Sequence, residues 1–304
     1  MRHQHGIGCK SRHTFITIHK RLNIGQQDEY QQSFSKNTRS FIHKIAGCLQ
    51  CFTDLVFIIK WPIIRSSNAY TAVANVSVNR TDFLVDGKRY RVLQLGTVMT
   101  DPDYRGRGLS RAIMESIEPE MAAADGAYLF GNDNVVEFYP RFGFVPGKET
   151  QYRKHVNFRG ETKARRVRMD NTAAWDRLRK AMEESSFREG CRMVGNPELI
   201  FFYVSQFMQD AAYYIPHLDA WVVAELEEGV LSVHNIFGPE KTTIDAVAGA
   251  FGEVREIRLC FAPADAAGWE SADLHEEDCN FFVRGPFFEC FASRGLRIPS
   301  LSHA

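Results

Sequence analysis

The sequence has no hydrophobic run long enough to cross a membrane. Its most apolar stretch near the front, Leu55 to Ile64, is broken by Lys60 and Pro62, and a spanning helix needs about 20 residues. No membrane partner and no secretory signal are expected. Charge of one sign is also missing, since 37 Lys and Arg face 37 Asp and Glu. Domains that work on the phosphate backbone carry a basic excess, so nucleic acid is not expected as the main partner. The seven cysteines, at 9, 48, 51, 191, 260, 279 and 290, are odd in number and scattered, which excludes a disulfide framework and points to a reduced, cytoplasmic protein. Cys48 and Cys51 form a solitary C-x-x-C without the second pair that zinc would need, and His217, His234 and His275 are dispersed, so no metal is expected. No residue-level repeat is present.

What remains is ordinary globular material, 44% hydrophobic and 24% charged over 304 residues, enough for two domains. The zero net charge hides a split. Residues 1–65 hold ten Lys and Arg against three Asp and Glu, leaving 27 against 34 in the rest. This basic head, 1–66, has no clean period; a solvated leader, RNA and an anionic surface are its alternative readings. From Ala69 the texture alternates: Tyr70 to Val78, Thr81 to Val85 and Tyr90 to Val98 read as strands, with Asp86-Gly87 as a hairpin turn. Leu109 to Met121 has a helical apolar face, Tyr128 to Phe130 reads as a strand, Val135 to Phe142 as a short helix, and a strand begins at Gly143. A polar stretch, Asn157 to Arg168, reads as a linker. Beyond it lie helices at Thr172 to Ser185, Pro197 to Gln206 and Lys241 to Phe251. Strands are expected at Ala211 to Pro216, Ala220 to Leu226, Val230 to Phe237 and Val254 to Phe261. The organisation expected is a segment 1–66, a domain at 67–158 and a second α+β unit at 165–304.

The chemistry is concentrated between Leu95 and Phe144. A strand ends at Val98-Met99-Thr100, a turn follows at Asp101-Pro102-Asp103, and Arg105-Gly106-Arg107-Gly108-Leu109-Ser110 opens a helix. Small residues there leave backbone N–H groups uncovered at a helix N-terminus, where unpaired donors and the macrodipole attract an anion such as a pyrophosphate. The loop resembles motif A of the GNAT superfamily, with Ser110 in place of the usual final Gly or Ala. The run Asn132-Asp133-Asn134-Val135-Val136-Glu137-Phe138-Tyr139-Pro140-Arg141-Phe142-Gly143-Phe144 resembles the second motif of the same family, with Val135 replacing the common Ala. The whole layout is similar to bacterial two-domain GNAT proteins and, more loosely, to the Eis aminoglycoside acetyltransferases.

The resemblance implies an α+β GNAT fold, a central mixed and mostly antiparallel sheet flanked by helices, followed by a second, degenerate GNAT-like α+β domain. It implies an N-acetyltransferase that uses acetyl-CoA as co-substrate and a small-molecule or peptide amine as acceptor, in a ternary complex without a covalent enzyme intermediate. The backbone of Val98, Met99 and Thr100, on a strand that splays from its neighbour, would hold the pantetheine and polarise the thioester. The amides of Arg105, Gly106, Arg107, Gly108, Leu109 and Ser110 would grip the pyrophosphate, and Asn132 takes the place of the motif's Asn. Tyr139 would protonate the leaving thiolate; a packed aromatic is its structural alternative. The acceptor ammonium must lose a proton, at a cost of roughly 4 to 5 kcal/mol at pH 7. Candidates for the base are the Ala304 carboxylate, by the Eis resemblance, and Glu115 or Glu137, which read first as helix-surface charges. The acidic run Glu276-Glu277-Asp278 would favour a cationic amine or be merely solvated. The second unit lacks a glycine-rich loop before Lys241 and should bind no second coenzyme A. The alternative, from another class, is a non-catalytic acyl-CoA-binding or regulatory module. Its support is a front segment unlike the strand and two helices that wall the acceptor side in this family. Nothing in the sequence fixes the oligomeric state.

Overall fold

The computed structural model describes residues 63–66, 69–72 and 74–303. The Cys48/Cys51 pair, nearly all of the basic head and Ala304 lie outside the described residues.

Strands β1 (Ile63–Ser66) and β2 (Ala69–Ala72) pair with each other as a separate two-stranded sheet. Alternating residues then build the long hairpin of β3 (Ala74–Val85) and β4 (Lys88–Thr100). Asp86 and Gly87 join them at φ 50° and 79°, the left-handed backbone that a two-residue turn demands and that Gly supplies without strain. Helix α1 (Leu109–Ala123) buries Ile113, Met114, Ile117 and Met121, the apolar stripe of the sequence, and leads into β5 (Gly126–Gly131), parallel to β4. Where the sequence suggests a helix from Val135 to Phe142 there are two short 3-10 turns, Asp133–Val135 and Tyr139–Phe142. Pro140 has no N–H to continue an α-helical ladder, and Gly143, at φ 75°, stops the second turn.

The chain continues through β6 (Val145–Pro146), β7 (Thr150–Phe158), β8 (Arg165–Arg166), α2 (Thr172–Glu184), β9 (Arg192–Val194), α3 (Pro197–Gln206) and β10 (Ala212–Ile215). It ends with β11 (Ala220–Glu227), β12 (Val230–Phe237), α4 (Ile244–Gly249), β13 (Val254–Leu259), β14 (Glu270–Asp273), β15 (Asn280–Arg284) and a 3-10 turn at Ser300–Ser302. The first large sheet has the order β6-β15-β5-β4-β3-β9, the second β14-β7-β13-β12-β11-β10-β8. Each takes strands from both halves of the chain. β9 and β15 complete the first sheet, while β7 sits inside the second. β8 lies within the stretch that reads as a linker, because an edge pairing with β10 uses main-chain groups and needs no apolar side chain. Both large sheets are mixed and mostly antiparallel, with the parallel pairs β4/β5 and β12/β13.

The first sheet is packed on both faces. Val76, Val78, Leu93, Leu95 and Leu129 meet α1 on one, and Phe83, Val92, Tyr128, Phe281, Phe287 and Ile298 form the core on the other. Arg284 of β15 ties that strand to α1 and to the Tyr139 turn, donating to Glu118 Oε2 at 2.7 Å and to the Phe142 carbonyl at 2.8 Å. The ion pair holds the Glu118 carboxyl below its ordinary range. Helix α3 is apolar on every side, with Leu199 to Val204 all buried, as expected of a helix enclosed by protein.

Candidate functional site

Strand β4 runs beside β3 to its very end, Thr100 facing Ala74, but its pairing with β5 stops at Leu95 and Leu129. A bulge explains the divergence. Val76 alone stands opposite Thr97 and Val98, since Ser77 faces Gly96 and Asn75 faces Met99, and an extra residue on one strand bends it away from its neighbour. Gly96 to Thr100 therefore has no strand partner on the β5 side. Val98 and Met99, expected to contact the thioester, lie on this parted stretch.

Past the turn at Pro102–Tyr104, Gly106 and Gly108 both adopt φ 74°, and a Cβ on either would meet no atom within 4 Å. Glycine is needed here for backbone conformation and not for space. Gly108 caps α1 without any side-chain hydrogen bond, and no acidic residue occupies the first turn. The first amides of the helix are thus uncapped by protein, as an anion site requires. A cavity of about 400 Å³ opens at this end, lined by Thr100, Arg105, Gly106, Gly108, Leu109 and Ser110 of the expected set. Tyr104, Arg111 and Phe138 complete it; only Arg111, one position beyond the expected loop, could have been guessed from the sequence.

Arg107 is turned elsewhere, donating to the Asp103 carbonyl at 2.9 Å and lying over the Tyr104 ring at 4.8 Å. Arg105 Nε donates to the Thr100 carbonyl at 3.3 Å, closing the turn. The hydroxyls of Ser110 and Thr100 are 2.7 Å apart, so Ser110 links the helix start to the strand end. Asn132, at the far end of β5, donates to Asp278 Oδ2 at 2.6 Å, and the Asp133 amide donates to Asp278 Oδ1 at 2.8 Å. Asp278 is thus a structural acceptor. Glu276 lies 3.9 Å from the buried Arg297. Glu115 and Glu137 are exposed.

Tyr139 is 4% exposed, packed against Phe138, Phe144 and Phe282. An atom added at Gly131 would stand 2.7 Å from its ring, so the bare glycine admits the tyrosine. Burial pushes its hydroxyl up to about 12, which keeps the phenol protonated at neutral pH. It is not among the residues lining the cavity, where its neighbour Phe138 stands. The chain end is ordered by several bonds. Tyr128 donates to the Ser302 carbonyl at 3.1 Å, Tyr203 donates to the His303 carbonyl at 2.6 Å, and the His303 ring lies 4.2 Å from that of Phe130.

The strand–helix–strand crossover thus combines parting strands with an uncapped, glycine-cornered helix start that opens on a cavity. Residues 64–147 match the family model described as Acetyltransferase (GNAT) domain. No curated protein sequence matches the chain. Among solved structures, it is similar to a probable N-acyltransferase from Enterococcus faecalis V583, at 16% identity and TM-score 0.48 over 70% of this chain and 59% of that one. A GCN5-related N-acetyltransferase from Kribbella flavida gives 17% and 0.47 over 86% and 64%. Eis1 from Mycobacterium abscessus gives 14% and 0.46 over 73% and 63%. The chain thus covers less than two thirds of the length of each. Among the described residues no helix is long and apolar enough to cross a membrane, and no group of three or more His, Cys, Asp or Glu is placed to hold a metal ion.

Proposed function

We propose that the chain is an N-acetyltransferase that moves the acetyl group of acetyl-CoA to a primary amine by direct attack in a ternary complex. The observation that carries this is the parting of β4 from β5 immediately beside the uncapped start of α1. When bound, acetyl-CoA supplies an activated acyl group as a thioester. The amides of Gly106 to Ser110 and the guanidinium of Arg105 offer donors and positive charge to its diphosphate. The main chain of Val98 to Thr100 offers hydrogen bonds to the pantetheine and to the thioester oxygen. Tyr139, held protonated by burial, is the donor for the departing thiolate once the aromatic pocket around it admits the sulfur.

Calorimetry with coenzyme A and a thiol-release assay over a panel of amines test the reading, with Tyr139→Phe run alongside. Coenzyme A should bind to both proteins, and the variant should lose about 100-fold or more in turnover. Absence of coenzyme A binding would end the proposal. One observation favours a second reading, a non-catalytic acyl-CoA-binding module: the Tyr139 ring packs away from the cavity. Tight coenzyme A binding without thiol release for any amine would select it.

A further inference from the structure

The face of the first sheet away from α1 carries a change of character that the cofactor loop does not use. Along β3, Asn75, Ser77, Asn79, Thr81, Phe83 and Val85 share this face, by the two-residue period of a strand. Phe83 and Val85 belong to the apolar core. Asn75, Ser77, Asn79 and Thr81 are buried but polar, and they bond along the row: Asn75 to Ser77 at 3.1 Å, Asn79 to Thr81 at 3.2 Å. Asn196, from the loop before α3, donates to Asn79 at 3.2 Å. Buried polar side chains cost stability relative to an apolar row unless hydrogen bonds offset them. The change from apolar to polar runs toward the end where β4 leaves β5.

At that end the pairings place Ser77, Gly96, Phe130 and Phe281 in one line across β3, β4, β5 and β15. The line is interrupted between Gly96 and Phe130, the first residues past the last β4/β5 pair. Gly96 sets no side chain over the gap, and Phe130 carries the His303 imidazole on its ring. The tail that brings His303 here is anchored at successive positions. The Ile298 amide donates to Glu149 at 2.8 Å, the Ser300 amide to the Cys260 carbonyl at 2.9 Å, and Tyr128 and Tyr203 hold the carbonyls of Ser302 and His303.

We propose that His303 is a catalytic residue, the group that takes the proton from the acceptor amine at the gap between β4 and β5. The inference rests on the N-acetyltransferase reading. A thioester held from the α1 side would meet the strand gap, whose opposite face carries the His303 imidazole on the Phe130 ring. The acceptor ammonium gives one proton to the His303 ring, and its freed lone pair forms the C–N bond to the acetyl carbon. The C–S bond breaks with its electron pair on sulfur, and Tyr139 gives that sulfur a proton. The second proton shed by the new amide nitrogen restores Tyr139 through solvent, and the imidazolium releases its own to solvent. The sum is ammonium and thioester to amide, thiol and one proton.

The test uses the full chain with acetyl-CoA and the amine that releases thiol fastest, comparing His303→Ala and His303→Gln with the unaltered protein. Turnover should fall about 100-fold or more in both, with coenzyme A affinity within about twofold. Added imidazole should recover a measurable part of the rate in His303→Ala, where space is left, and none in His303→Gln. Either variant retaining a rate within about threefold would overturn the proposal. A loss that imidazole leaves untouched would also overturn it, by assigning His303 to packing alone. If the unaltered protein releases no thiol with any amine, the N-acetyltransferase reading itself has failed, and that result is distinct from a variant that works normally.

Discussion

The two large sheets contain the same unit, a strand, a helix and a parallel strand, in opposite conditions. β4, α1 and β5 pair over Val92 to Leu95 and then part; β12, α4 and β13 pair over Val230 to Val233. In the first unit the helix start is capped by bare Gly108 and opens on a cavity. In the second the Thr243 side chain accepts from the Ala246 amide at 3.2 Å, so the protein caps the helix itself. The space past the last pair is also treated differently. Beyond Val233 and Leu259 the chain's own tail enters: the Ser300 amide donates to the Cys260 carbonyl, the Ser300 hydroxyl is 2.9 Å from His234 Nδ1, and Leu301 is 1% exposed. One crossover opens on a cavity, and its counterpart is stopped with protein. The topology alone makes no binding site; what fills the gap and caps the helix decides.

Breaking the stopper should have the largest effect on stability. Leu301→Ala leaves a cavity in the core around α3 and should cost about 2 to 5 kcal/mol, read as a lowered denaturation midpoint. It should also slow turnover, because His303 hangs from the same segment. A variant as stable as the parent would mean that the second gap is not held shut by the tail.

The seam between the regions offers a pH-dependent test. Glu189 precedes β9 and bridges to Pro263 near the second sheet, and neither of its carboxyl oxygens has a hydrogen-bond partner. Burial pushes this carboxyl up to about 8, against the lowering effect of Arg192. The folded protein thus keeps a proton that the unfolded chain gives up at ordinary carboxylate pH, so stability falls as pH rises from about 4.5 toward 8. Glu189→Gln should flatten that slope and stabilise the protein at pH 8 by on the order of 1 kcal/mol or more. Parallel melting curves of the two proteins at pH 5 and pH 8 check it, and equal slopes would refute the assignment.

The smallest effects come from exchanging the two caps. Gly108→Ala meets no atoms but forces a Cβ into left-handed backbone, at about 1 kcal/mol or somewhat more. The loop then relaxes from its binding shape, and coenzyme A affinity should drop about tenfold with little change in melting. Thr243→Ala should do the reverse, costing about 1 kcal/mol of stability and leaving affinity alone. If both variants moved the same quantity, the contrast between open and closed crossovers would be lost.

Much of the first crossover was legible in the residues. The Asp86-Gly87 turn, the α1 stripe and the glycine loop are local features set by backbone conformation and period, and they stand where the sequence puts them. Helices α2 and α3 were equally plain. The short helix at 135–142 was not, because Pro140 and Gly143 outweigh the surrounding pattern. Strands β9, β14 and β15 carried no legible signal, being short segments whose partners lie far off in the chain; β15 faces β5 across about 150 residues. Asp278, which reads as part of a solvated acidic run, proved to be the acceptor for Asn132.

By itself the sequence determined the uncapped glycine loop, since two glycines ahead of an amphipathic helix fix their geometry through local torsion and hydrogen bonding. Only the tertiary structure decided which strand gap is open, which is stopped, and that His303 comes to rest on Phe130. Those outcomes depend on contacts far apart in the chain, 66 positions for His234 and Ser300 and more than a hundred for Phe130 and His303, where burial and strand pairing act on the whole chain and leave no short pattern to read.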